Sequence, residues 1–296
     1  MTTSKLRGCG TALVTPFTRQ GAVDEPALRA LIDWQIAEGI HFIVPCGSTG
    51  EAATMSPAEQ RRVVEITVEQ VAGRVPVIAG AGSNDTRKAV ATSREMAAVG
   101  ATHLLHVSPM YNKPPQRGIV EHFKALAEAT ALPIVVYNVP GRTGSNIEAR
   151  TTLELATIPN VVAVKEASGN LSQVTDILRS RPTAFSVLSG DDELTLPMMS
   201  LGGDGVISVI SNATPRLMAS LCDAAARGDY ADARAIHFRL IAWMRAAFVE
   251  SNPVPVKAAM AALGKCENVL RLPLVPLADP HRATLESALR AAGALA

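Results

Sequence analysis

The sequence has almost no excess of either charge: 28 Lys and Arg stand against 27 Asp and Glu, leaving +1. A chain so balanced offers no electrostatic footprint for nucleic acid or an anionic membrane surface, so a small molecule or another protein is the expected partner. Cysteine is scarce. Cys9, Cys46, Cys222 and Cys266 form no C-x-x-C pair, which argues against a zinc site or a disulfide framework and fits a reducing compartment. No uncharged run reaches the ~18 residues that a membrane span needs. The opening residues, MTTSKLRGCGTALVTPF, lack the continuous apolar stretch of a signal peptide, so the expected location is the cytoplasm. The histidines make no H-E-x-x-H, and His103 and His106 sit on a predicted strand at positions that point to opposite faces, so no metal is expected. P-loop spacing is missing, and AGAGSN (79–84) has two glycines of a nucleotide-binding turn without the third. Those glycines read as a tight βα turn, and no cofactor is expected.

What the chain does have is apolar residues, 48% of 296, enough for one large domain or a large domain with an appendage. They recur in eight short runs at 10–17, 41–47, 75–82, 102–109, 133–140, 161–168, 185–192 and 204–211. Each run is nearly continuous rather than alternating, the pattern of strands in a parallel sheet covered on both faces. Between them lie helical periodicities, such as 25–39, 56–73 and 85–100, with Ser56-Pro57 and Asp85 at the starts and Gly39, Gly73 and Gly100 at the ends. Eight βα units by Gly228 predict a (β/α)₈ TIM barrel over 1–228, in preference to an open doubly wound sheet. From 229 to 296 only helical patterns remain (229–250, 255–264, 278–296), which predicts a C-terminal helical appendage packed on the barrel, with Trp243 and Phe248 as core or contact residues.

A barrel places its chemistry at the C-terminal ends of the strands. Those positions hold Thr15, Ser48-Thr49, Asn84, Tyr111, Tyr137, Arg142, Lys165, Gly190 and Ser208. The set contains an amine, two phenols, hydroxyls and a guanidinium. Lys165 ends the buried-looking run VVAVK, where desolvation disfavours the ammonium; such a lysine can attack a keto group and form a Schiff base that serves as an electron sink. An ion pair is the plainer alternative, but Glu166, the next residue on a strand, faces the other way. In PCGSTGE (45–51) the glycines let backbone N–H groups converge on a carboxylate, with the Ser48 and Thr49 hydroxyls as donors or relays; a plain glycine turn with an N-cap serine is the other reading. In YNVPGRTG (137–144) Tyr137 can shuttle a proton and Arg142 can hold a second carboxylate.

The motifs GSTGE, YNVPGRTG and VVAVKEASGN, followed by SGDD (189–192), GGDGVIS (202–208) and NPVPVK (252–257), resemble the dihydrodipicolinate synthase/N-acetylneuraminate lyase family of class I aldolases through essentially the whole chain. The resemblance implies a lyase that condenses pyruvate with L-aspartate-4-semialdehyde, on the route to lysine and meso-diaminopimelate. Lys165 would form the imine with pyruvate, whose carboxylate would rest on Ser48 and Thr49. Tyr137 would transfer protons through Thr49 to Tyr111, which in the family reaches in from a neighbouring subunit of a homotetramer built as a dimer of dimers. Arg142 would bind the semialdehyde carboxylate, with Gly190 and the backbone near Ile207 lining the substrate pocket.

The chain departs from the family pattern in two places. Ser48 stands where the synthases most often carry threonine, which keeps the hydroxyl and weakens the subgroup assignment. Met110 replaces a second tyrosine of lysine-regulated members, and Pro57, Gln60 and Lys88 occupy positions where those members carry lysine-binding residues, so weak or absent inhibition by lysine is expected. Two alternatives remain: another pyruvate-dependent aldolase acting on N-acetylneuraminate or a keto-deoxy sugar acid, and a non-catalytic barrel that binds a keto acid. Arg142 favours the semialdehyde over a neutral sugar chain, and a mere binder has no need of a proton relay.

Overall fold

A computed structural model describes residues 5–295. Eight parallel strands, β1 (Gly8–Ala12), β2 (Phe42–Val44), β3 (Ile78–Gly80), β4 (His103–Val107), β5 (Ile134–Asn138), β6 (Val161–Glu166), β7 (Ser186–Ser189) and β8 (Gly205–Ser208), pair in the order β2-β1-β8-β7-β6-β5-β4-β3. A parallel bridge from Ile43 to Val77 closes the ring. The predicted TIM barrel is therefore present. The strands are shorter than the apolar runs that announced them because residues beyond the ladder stay buried in the βα loops. Leu13, Val14 and Phe17 after β1 are each 1% exposed or less.

Helices follow the expected punctuation. The helix Pro57–Val71 begins at a capping box, with Ser56 Oγ accepting from the Glu59 N–H and the Glu59 carboxylate accepting from the Ser56 N–H. Asp85 caps Thr86–Ala98 by accepting from the Arg87 N–H. Alternation along each strand divides the barrel into two layers. Val135, Tyr137, Ala163, Leu188 and Ile207 join an inner cluster, whereas Ile134, Val136, Val161 and Val164 pack against the surrounding helices.

The C-terminal helices Tyr230–Ala246, Val254–Ala262 and Asp279–Ala292 have no core of their own. One apolar cluster runs from Leu13, Val14 and Ile210 of the barrel to Trp243, Met260 and Leu289. Trp243 is fully buried, and its indole N–H donates to the Ile210 carbonyl (3.3 Å), which ties this region to the loop after β8. Phe248 stays half exposed at the barrel mouth. No helix among the described residues is long and apolar enough to cross a membrane.

Candidate active site

Lys165 is the inward-facing residue near the C-terminal end of β6, paired in register with Tyr137 of β5 on one side and Leu188 of β7 on the other. Because successive strand residues alternate, Glu166 points outward, where its carboxylate accepts from the Asn138 and Gln173 amides and the Ser168 N–H. The expectation that Glu166 is not the lysine's partner is met. Lys165 is 5% exposed, and among the described residues no carboxylate lies within ion-pair distance of its Nζ, which sits 4.2 Å from the centre of the Tyr137 ring. Burial draws the amine down to about 7, helped by the Arg142 charge and opposed by Asp192. Burial also pushes the Tyr137 phenol up to about 12, so it remains a proton donor at neutral pH.

Six of the predicted residues, Ser48, Thr49, Tyr137, Arg142, Lys165 and Gly190, line one cavity of about 150 Å³ at the mouth of the barrel. A water takes ~30 Å³ in the liquid, so this space suits a ligand of a few heavy atoms. It adjoins a wider cleft of about 670 Å³ that shares Ser48, Tyr137, Arg142 and Asn252. Gly190 is required at the cavity floor, because a Cβ there would stand 3.1 Å from Lys165 Cε and 2.7 Å from the Ala167 Cβ. Ile207 is fully buried in the inner cluster, and Val209, two residues on, lines the cavity instead.

The loop after β2 turns twice within five residues, the Gly50 N–H donating to the Gly47 carbonyl and the Glu51 N–H to the Ser48 carbonyl. Cys46 and Glu51, at its two ends, hold left-handed φ values of 56° and 54°. The loop passes so close to β3 that a Cβ on Gly80 would lie 2.0 Å from the Cys46 carbonyl oxygen. Within this turn the N–H groups of Ser48 and Thr49 donate to nothing in the described chain, which leaves them free for an anion. Ser48 caps no helix; the short helix Ala52–Thr54 starts at Glu51.

The hydroxyl relay is not assembled within one chain. Asn252 Nδ2 donates to Thr49 Oγ1 (2.9 Å), and Tyr111, 87% exposed with a φ of 72°, lines neither cavity. The other predicted positions are supports: Thr15 Oγ1 donates to the Gly50 carbonyl, Asn84 Nδ2 to the Met110 carbonyl, and Ser208 Oγ accepts from the Ser211 N–H.

Sequence reasoning missed three residues near the cavity. Asp191 lines it. Asp192, 1% exposed, accepts from the Val209 and Ile210 N–H groups, and burial raises its carboxyl to about 6 against those bonds. Asn252 binds Thr49 through its amide, and its backbone carbonyl accepts from Arg142 (3.1 Å). The only sequence signals were the motifs SGDD and NPVPVK, which name no role.

A family model described as the dihydrodipicolinate synthetase family matches residues 5–292. A 4-hydroxy-tetrahydrodipicolinate synthase of Koribacter versatilis is 53% identical over 292 residues, covering 98% of this chain and 97% of the relative. One from Maridesulfovibrio salexigens is 51% identical over 288 residues, covering 97% and 98%. A chloride-inhibited dihydrodipicolinate synthase from Acinetobacter baumannii, solved in complex with pyruvate, superposes with a TM-score of 0.96 at 40% identity, covering 98% of this chain and 99% of that one.

Proposed function

The chain belongs to the dihydrodipicolinate synthetase family, and from that premise we propose that it catalyses the 4-hydroxy-tetrahydrodipicolinate synthase reaction, condensing pyruvate with L-aspartate-4-semialdehyde. The observation that carries this reading is Lys165: a desolvated amine with no carboxylate partner among the described residues, in register with Tyr137, in a small cavity with Arg142 beside it. Neutral Lys165 attacks the keto carbon of pyruvate while Tyr137 protonates the oxygen that leaves as water, giving an imine. The pyruvate carboxylate lies against the free N–H groups of Ser48 and Thr49. Loss of a methyl proton turns the imine into an enamine, whose carbon attacks the aldehyde of the second substrate, and Arg142 holds that substrate's carboxylate. The substrate's own amine then displaces Lys165 from the imine carbon, which closes the ring and frees the enzyme.

Tyr111 acts in the site of a second subunit. Its exposure and its absence from both cavities of its own chain support this arrangement, and a dimer of dimers accommodates it. The cytoplasm is the proposed location. Initial rates with pyruvate and a panel of aldehydes test the assignment. Turnover is expected with L-aspartate-4-semialdehyde and little with sugar aldehydes; the reverse result would make the enzyme a sugar-acid aldolase, and binding without turnover would make it a sensor.

Weak inhibition by lysine belongs to the same reading. The wider cleft carries Lys88, Pro57, Gln60 and Met110, and the Gln60 amide is already committed to the Ala52 and Met55 carbonyls. A lysine effector's ammonium would meet the like charge of Lys88 there, with Glu95 as an opposing carboxylate of the same cleft. Rates measured against L-lysine are expected to stay near the uninhibited value up to millimolar effector; strong inhibition at micromolar lysine would refute it.

A further inference from the structure

Immediately after Thr49 and Gly50, the carboxylate of Glu51 meets Lys257 of the C-terminal helix Val254–Ala262 at 2.5 Å, both side chains being wholly buried. The chemistry described above uses neither group. Lys257 also donates to the Val269 carbonyl (2.7 Å) and lies 4.1 Å from the centre of the Phe17 ring, to which the Arg271 guanidinium approaches within 4.4 Å. The second Glu51 oxygen accepts from the Arg271 N–H, and the Arg271 guanidinium continues to Glu59 and the carbonyls of Gly21 and Thr54. One further link runs between the same segments, Asn252 to Thr49, while Thr15 of the loop after β1 ties the Gly50 carbonyl to the barrel. Glu51 itself has left-handed backbone, which for a residue with a side chain persists only where surrounding contacts over-determine it.

We propose that the buried Glu51–Lys257 pair is a positioning device, through which the C-terminal helices hold the 47–50 turn at the height where its free N–H groups and the Thr49 hydroxyl receive the carboxylate of the keto acid. A buried ion pair adds little net stability over apolar residues of the same shape, so fold stability alone gives no reason for it. It does fix distance and direction, because neither charge can be moved without stranding the other. Glu51 and Lys257 are thus positioning residues that act through Ser48 and Thr49.

The inference rests on the proposed function, and borohydride trapping separates the two. If pyruvate and borohydride fail to label Lys165 in the unmodified enzyme, the functional reading fails. If they do, the neutral double variant Glu51→Gln/Lys257→Met tests the inference, since it leaves no stranded charge. Expected are a melting temperature close to the parent, a rise in KM for pyruvate with a fall in kcat/KM on the order of 10- to 100-fold, and a shift of the acid limb of trapping to higher pH as water reaches Lys165. A folded double variant with unchanged KM and unchanged limb would overturn the proposal. Should that variant not fold, Glu51→Asp decides in the same way: it keeps the charge but draws the carboxylate back, and an unchanged KM for pyruvate would again overturn it.

Discussion

A single side chain, Lys165, carries both the energetic cost and the chemistry of this site. Removing an ammonium from water disfavours the charged form, and with no carboxylate of the described residues within ion-pair reach the amine loses its proton near pH 7. The neutral fraction is the nucleophile, so imine formation should lose about tenfold per pH unit below that value and level off above it. Trapping rates with pyruvate and borohydride between pH 5 and 9 would reveal this limb; a limb near the ordinary lysine value would contradict the burial argument. Tyr137, held protonated by the same desolvation, sets the second expectation at this scale. Tyr137→Phe should lower kcat by about 10²- to 10⁴-fold while Lys165 is still labelled, slowly, by pyruvate and borohydride.

Among the elements, the turn after β2 depends on what neighbouring strands leave out. Gly80 of β3 yields the space through which the Cys46 carbonyl passes, and the contact is backbone against Cβ, which no rotamer change relieves. Gly80→Ala should therefore cost about 1–3 kcal/mol of stability and displace Ser48 and Thr49, raising KM for pyruvate along with the loss in denaturation midpoint. A variant that lost stability with KM intact would show the turn to be anchored from its other end alone. The outward residues of the same strands serve another purpose. Glu166 and Asn138, paired in register, bind each other, and Glu166 also accepts from the Gln173 amide of the helix Leu171–Ser180, which fastens β5 and β6 at the level where Tyr137 and Lys165 face inward.

For the whole molecule, the incomplete relay is the informative feature. One chain holds Lys165, Tyr137 and Thr49 at a common cavity but leaves Tyr111 exposed outside it. If Tyr111 acts in a partner's site, then Lys165→Ala and Tyr111→Phe subunits, each nearly inactive alone, should regain activity when mixed and allowed to exchange. In a random dimer about half the pairs are mixed and each mixed pair has one intact site, so recovery should approach roughly a quarter of the parent rate under the symmetry logic of closed oligomers. No recovery after demonstrated exchange would confine Tyr111 to its own chain.

Several features were legible in the sequence because they are local or periodic. Near-continuous apolar runs alternating with capped helical segments specify a parallel sheet wrapped in helices, and the period of two along β6 by itself puts Lys165 and Glu166 on opposite faces. The glycine turn before Glu51 and the strand-end tyrosine and arginine could be read in the same way. What the sequence left open was every pairing between residues far apart in the chain: Asn252 with Thr49 and Arg142, Asp192 with the end of β8, Lys257 with Glu51. Each joins loops from different strands or from the C-terminal helices across a shared core, and a pattern along the chain holds no information about which distant group will fill a buried partner's hydrogen bond. Closure of the barrel decided that, because it brought those loops to one face and left their buried polar groups only one another to satisfy.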